Sequence, residues 1–288
     1  MSIDELTKQI TVATEALTAR TIRQVAEWIQ THLVEIAWKT IDDVAQEASA
    51  SPASVIRCSQ QLGFSGYSHF QRTVRDALPT SGSLIEKLAD LPEAVNVSPS
   101  ALVLAQERAN FDRFNQALMD HVERLATMLV HTSRVGVIAS LTSTALGQYL
   151  ASHLNFLLGN VSFFEAESSA SWMFLRDAAP TDTMIALTFP RYSKAVFRMA
   201  KQFQQKPVQT VLITDIAGTK LLPVNLTLGL PISGDLFSAG PPVTVMVQML
   251  AHALKHLNPD AVTQTLKTTD HLLAQAGVFL RNTGYRIR

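Results

Sequence analysis

A chain of 288 residues with 47% hydrophobic and 17% charged side chains is long enough for two cores and too apolar to be disordered. Its formal net charge of zero excludes indiscriminate electrostatic binding to nucleic acid, so any charge that matters to such a partner is local. The single cysteine, Cys58, excludes an internal disulfide framework. With no apolar run of the ~18 residues that a membrane span needs and no signal-peptide core, the expected setting is a reducing cytoplasm.

Residues 1–78 read as an all-helical domain. Apolar residues recur at helical spacing over 5–17 and 21–32, where Val25, Ile29 and Leu33 share a stripe. Residues 40–70 read as two short helices joined by a tight turn. Ile41, Val44, Ala45 and Ala48 line one face of the first, and Ser49 and Ala50 interrupt it. Ser51 stands at an N-cap position with Pro52 at the first helical position. Val55, Ser59 and Leu62 point inward along the second helix, and Gly63 stops it. Cys58 is expected as a small hydrophobe against the first helix. Ser54, Arg57, Gln60 and Gln61 are left outward, and such a small polar face with one arginine suits base edges and phosphates. A further helix is expected from Phe70, and Trp28 and Trp38 read as packing residues. Over residues 49–78 the basic side chains are Arg57, Arg72 and Arg75, while Asp42, Asp43 and Glu47 fall on the support helix, away from phosphates. So small a basic footprint predicts modest affinity for one copy and a need for pairing.

Residues 79–131 read as linker and connector. A hinge is expected at 79–83, a short amphipathic piece at 84–90, and one long helix over 100–131 with Leu104, Phe111, Leu118, Val122, Leu125 and Leu129 as its stripe. From residue 132 the period changes. Short β-rich runs at 134–139, 161–165, 183–188, 210–214 and 225–230 alternate with helical patterns. That alternation predicts an α/β doubly wound domain, a five-stranded parallel sheet covered on both faces, over residues 132–260. A helix rich in Val, Met and Leu over 242–257 reads as buried core or subunit interface. Residues 261–288 read as a C-terminal helix and tail.

The helix-turn-helix resembles that of the RpiR/MurR family of bacterial regulators. The resemblance rests on Ile41 to Ala48, Ser51, Ser54-Val55-Ile56-Arg57, and Leu62-Gly63-Phe64-Ser65-Gly66-Tyr67 with Phe70. Residues 130–260 resemble the SIS (sugar isomerase) domain that accompanies it in the family. One family loop reads G-x-G-x-S; here it is Ala139-Ser140-Leu141-Thr142-Ser143, without either glycine. A second reads S-x-S-G-x-T; here it is Thr188-Phe189-Pro190-Arg191-Tyr192-Ser193. Residues 211–215 match the family's fourth strand. The resemblance implies a homodimeric or homotetrameric transcriptional regulator that binds a double-stranded DNA operator through Ser51, Ser54, Arg57 and Gln61.

The two loops sit between strand carboxyl ends and helix N-termini, where hydroxyls and free backbone N–H groups bind anions. Ser143, Thr188, Arg191, Tyr192 and Ser193 are therefore the expected effector site for a small anionic metabolite such as a phosphosugar. Arg191 would supply forked donors, and Tyr192 a ring or a hydrogen bond. A SIS domain that only dimerises is the alternative reading. A sugar-phosphate isomerase is the rival class, but it needs a proton-moving base, and only Asp235 stands near the last helix. No catalytic residue, cofactor or metal is expected. His252 and His256 lack the glutamate of a zinc-protease helix. Asn160 and Asn225 fit a glycosylation pattern but read as structural, and Trp172 is expected to pack in the core.

Overall fold

The computed structural model of the chain describes residues 3–37, 39–77, 98–232 and 238–278. Trp38, the expected hinge at 79–83, the amphipathic piece at 84–90 and Asp235 lie outside the described residues.

The N-terminal part is a helical bundle: α1 (Ile3–Glu15), α2 (Arg20–Thr31), a 3-10 turn (Leu33–Ala37), α3 (Ile41–Glu47), α4 (Pro52–Gln61) and α5 (Tyr67–Ala77). Its core gathers Leu6, Ile10, Val25, Ile29, Ile36, Val44, Val55, Leu62 and Phe70 from every helix. Thr40 and Asp43 cap α3 reciprocally, each side chain accepting the other's backbone N–H at 3.1 and 2.9 Å. The turn into α4 passes through Ser49 in a left-handed conformation, φ 51°. Gln24 of α2 holds that turn by donating to the Ala48 carbonyl at 2.9 Å. Gly63, at φ +96°, ends α4 where a side chain would be strained.

Helix α5 begins at Tyr67, three residues before the expected start, because Tyr67 is part of its buried face. It braces the entry to α3. The Tyr67 hydroxyl donates to the Lys39 carbonyl at 2.7 Å, Gln71 donates to Lys39 and Ile36 carbonyls at 2.6 and 3.0 Å, and Arg75 donates to the Ala37 carbonyl at 3.0 Å. Lys39 itself pairs with Glu35 at 2.9 Å and Glu47 at 2.5 Å. Burial opposes its charge, but the two carboxylates outweigh burial and hold its pKa above the usual lysine value.

The expected long connector helix is two helices, α6 (Pro99–Asp112) and α7 (Gln116–Val130). Asn115 is extended and accepts the Leu118 N–H at 3.0 Å, so it starts a new helix instead of continuing the old one. The apolar stripe splits accordingly. Leu118, Val122, Leu125 and Leu129 are buried, whereas Leu104 is 60% exposed.

Beyond α7 lies a five-stranded, wholly parallel sheet: β1 (Val135–Ala139), β2 (Val161–Glu165), β3 (Thr183–Leu187), β4 (Gln209–Asp215) and β5 (Leu226–Leu230), in the order β2-β1-β3-β4-β5. Helices α8 (Thr144–Leu158), α9 (Ser169–Arg176) and α10 (Lys194–Gln204) follow β1, β2 and β3, and α11 (Gly240–Leu257) and α12 (Pro259–Gln275) close the chain. One core joins α7, α8 and α11 to one face of the sheet, and a second joins α9 and α10 to the other. Such coverage is what an all-parallel sheet demands. Every residue of β1 and β3 is buried. Strand order reverses at β1: β2 lies on one side of it and β3 on the other. The loops after β1 and β3 therefore meet at the sheet's carboxyl edge, the place where open parallel sheets bind their ligands. Among the described residues, no helix is long and apolar enough to cross a membrane.

Phe70 is fully buried at the centre of the helical bundle and packs on Phe64 with ring centroids 4.8 Å apart. Replacing Phe70 with Ala is expected to cost about 3–5 kcal/mol of bundle stability, read by urea denaturation followed by circular dichroism.

Candidate DNA-reading face and anion crevice

The rotation of α4 is set by what it buries. Val55, Cys58, Ser59 and Leu62 face the bundle. At 3.6 residues per turn the opposite arc carries Ala53, Ile56, Arg57, Gln60 and Gln61, all exposed. Ser51 caps the helix, its Oγ accepting the Ser54 N–H at 3.2 Å. The Ser54 hydroxyl is half-buried and bonded to Ser51 Oγ at 2.9 Å. The four expected DNA contacts thus divide: Arg57 and Gln61 stand free one turn apart, while Ser54 is occupied by the cap. Ile56, 40% exposed, and Ala53 were not among the outward residues read from sequence. An apolar residue inside a helical run reads as inward until the helix's rotation is known.

Burial pushes the Cys58 thiol up to about 12, so it stays a neutral packing group beneath the helix. Of the three arginines within residues 49–78, Arg75 turns inward to Ala37 and Gln71, leaving Arg57 and Arg72 exposed. The positive footprint is smaller than the sequence count.

The crevice is built on hydroxyls. Ser140 Oγ and Ser193 Oγ lie 2.9 Å apart, joining the β1 loop to the β3 loop. The Ser193 N–H donates to Thr188 Oγ1 at 3.0 Å, and Ser193 Oγ caps α10 by accepting the Val196 N–H at 3.4 Å. Ser143 is 6% exposed at the start of α8. Its hydroxyl neither caps that helix nor finds another partner among the described residues. A carboxylate that sequence reasoning missed stands beside it: Glu165, at the end of β2, accepts from the Thr144 hydroxyl at 2.9 Å.

Backbone strain gathers at the same edge. Leu141 has φ 57°, Glu167 φ 63° and Arg191 φ 74°, one left-handed non-glycine residue after each of β1, β2 and β3. Leu141 and Arg191 occupy two of the three loop positions where the family pattern has glycine, Ala139 being the third. A left-handed backbone at a residue with a side chain costs roughly 1–2 kcal/mol. Glu167 is held by a bidentate pair with Arg198 at 2.5 and 2.6 Å. Arg191 is exposed and makes no ion pair among the described residues.

Tyr192 does not serve the role expected of it. It is 7% exposed, packs beneath α10, and donates its hydroxyl to Asp215 Oδ1 at 2.6 Å. Asp215 also accepts the Gly218 N–H at 3.1 Å. Burial and the adjacent carboxylate hold the phenol protonated, well above its ordinary range. Tyr192 therefore locks the β3 loop to β4 instead of offering a ring to a ligand. Trp172, expected in the core, is 39% exposed on α9. His252 and His256 are exposed on α11, and no metal-holding cluster is found among the described residues. Asn160 and Asn225 are tied to backbone groups at Thr132 and Thr210, as structural residues.

Comparison with known proteins separates the two parts. Residues 4–81 match the helix-turn-helix domain of the rpiR family, and residues 128–253 match the SIS domain. An uncharacterized HTH-type transcriptional regulator of Clostridium perfringens is 20% identical over 259 residues, 86% of this chain and 91% of its own. Another from Thermotoga maritima is 21% identical over 194 residues, 67% of this chain and 69% of its own. The Vibrio vulnificus NanR protein, solved in complex with ManNAc-6P, shares the fold over 96% of this chain and all of its own, at 18% identity and TM-score 0.53. The sugar isomerase domain of an RpiR transcription factor from Sphaerobacter thermophilus aligns with 58% of this chain and 93% of its own, at 18% identity and TM-score 0.51.

Two substitutions separate lock from strain. Tyr192→Phe leaves a buried carboxylate short of a donor and is expected to lower stability by about 1.5–3 kcal/mol. Arg191→Gly relieves a left-handed side chain and is expected to be neutral or to raise stability by up to about 1 kcal/mol, the relief being partly offset by greater freedom in the unfolded chain. Chemical denaturation of the two variants against wild type checks both signs.

Proposed function

We propose that this chain, with an rpiR-family helix-turn-helix match over residues 4–81 and a SIS match over residues 128–253, is a transcriptional regulator whose DNA affinity is set by a small anionic metabolite of the phosphosugar class. In this reading residues 1–78 bind the operator, residues 79–131 connect, and residues 132–260 bind effector and pair the copies, with 261–288 as the closing helix and tail. Arg57 contacts phosphate or guanine, Gln61 reads a base edge, and Ser51 presents the helix N-terminus to phosphate with Ser54 bracing it. Two copies place their α4 helices on half-sites about one DNA turn, ~34 Å, apart.

The observation that carries the effector reading is the conjunction at the sheet edge. A Ser143 hydroxyl and an Arg191 guanidinium, neither with a partner among the described residues, and a Ser140–Ser193–Thr188 hydroxyl chain lie on the loops after β1 and β3 at the strand-order reversal. Hydroxyls and helix N-termini suit a phosphate, and Arg191 adds a charge-assisted donor where glycine stood. That NanR was solved with ManNAc-6P supports a phosphosugar for a fold of this kind. An effector shifts DNA binding only by the ratio of its affinities for the two dimer geometries.

Thermal-shift screening of phosphosugars tests the crevice. A true effector at a hundred times its Kd is expected to stabilise the protein by about 2.7 kcal/mol. Arg191→Gly should fold at least as well yet bind roughly ten-fold or more weakly, for loss of a charged hydrogen bond. Stabilisation unchanged in that variant refutes the role of Arg191, and turnover of the sugar phosphate refutes the regulator reading. For the DNA face, Arg57→Ala is expected to weaken binding and to lower the salt slope by about one ion, read by fluorescence anisotropy across a salt series.

A further inference from the structure

We infer that Ile56, together with Ala53, reads a thymine 5-methyl group in the major groove, so that each half-site carries an A·T pair beside the contact of Arg57. The inference rests on α4 being the DNA-reading helix. Ile56 is 40% exposed and belongs to none of the three apolar cores. Isolated exposed apolar side chains are common on proteins, and most mean nothing. This one differs by position. It stands in the second turn of a capped helix whose first residue is Pro52, and helices of this motif put their N-terminal residues against base edges.

Ala53 lies one turn before it, three residues away and also exposed, so the two form a short apolar strip. Arg57 and Gln60 flank the strip with hydrogen-bond donors, and no acidic residue occurs anywhere in α4. Beneath it, Val55, Cys58 and Ser59 are buried, which prevents the helix from rolling to hide Ile56. An apolar strip bordered by amide and guanidinium donors matches one surface of duplex DNA. Acceptors on the bases and phosphates meet the donors, and the methyl group of thymine is the apolar feature among the major-groove base edges. A second copy of the chain is the other conceivable occupant, but a symmetric contact of α4 on α4 would set Arg57 against a helix that carries no carboxylate.

The test uses the full-length protein and a random duplex library. Wild-type protein is expected to enrich a sequence with a fixed A·T pair in each half-site, and Ile56→Ser to lose preference at that position alone. In the enriched duplex, deoxyuridine in place of that thymidine removes only the methyl group. Wild-type affinity should fall roughly three- to ten-fold, whereas Ile56→Ser should bind both duplexes equally. Equal binding of the two duplexes by wild type, or an unchanged preference in Ile56→Ser, overturns the inference while leaving DNA reading intact. Failure of wild type to enrich any sequence overturns DNA reading as well. Dissociation of the free oligomer by Ile56→Ser in sedimentation, with thymine discrimination preserved, overturns it in favour of a contact between copies.

Discussion

Burial of an apolar face fixes which groups are left for chemistry, and both working surfaces depend on it. In α4, the packing of Val55, Cys58, Ser59 and Leu62 sets the helix's rotation to within a residue. Everything that DNA can meet follows from that setting, including Ile56, which no polarity argument would have selected. In the sheet, both faces are covered, so what can bind is left to the loops at its edges. The strand-order reversal then decides which two loops face one another.

The signature stretch from Leu62 to Phe70 is architectural. Phe64, Tyr67 and Phe70 are buried, and Tyr67 reaches back to the Lys39 carbonyl just before α3 begins. With Gln71 and Arg75 it supplies donors to carbonyls at 36, 37 and 39 that the short 3-10 turn leaves unmet. Its buried aromatic residues hold the end of α4 and the start of α5 in the bundle core. Arg75 shows the price in charge: a guanidinium used as an internal brace is lost to the phosphate backbone. The smaller basic surface strengthens the case for a reader that acts in pairs.

At the crevice, stability and chemistry pull apart. Tyr192 and Arg191 are adjacent, yet one is locked to Asp215 and the other is strained, exposed and without an ion pair among the described residues. A loop anchored on one side by a buried hydrogen bond can hold an unfavourable φ on the other. That arrangement presents Arg191 without letting the loop collapse, and strain held in this way is common where a ligand is bound.

The sequence by itself determined the elements and their order. The cap at Ser51, the stops at Ser49 and Gly63, and the switch from helical to alternating periodicity are local signals, and they made the helix-turn-helix and the parallel sheet legible. The hydroxyls of the crevice were legible too, as residues at strand ends. Three things were decided only by the tertiary structure. One was the division of the connector at Asn115, where a side-chain cap competes with helix continuation on nearly equal terms. Another was the commitment of Ser54, Arg75 and Tyr192 to internal partners, since a polar side chain's partner is chosen by distant chain. The last was the left-handed backbone at Leu141 and Arg191, where glycine is absent. A conformation imposed by the loop's two anchored ends leaves no mark on the residue that must adopt it.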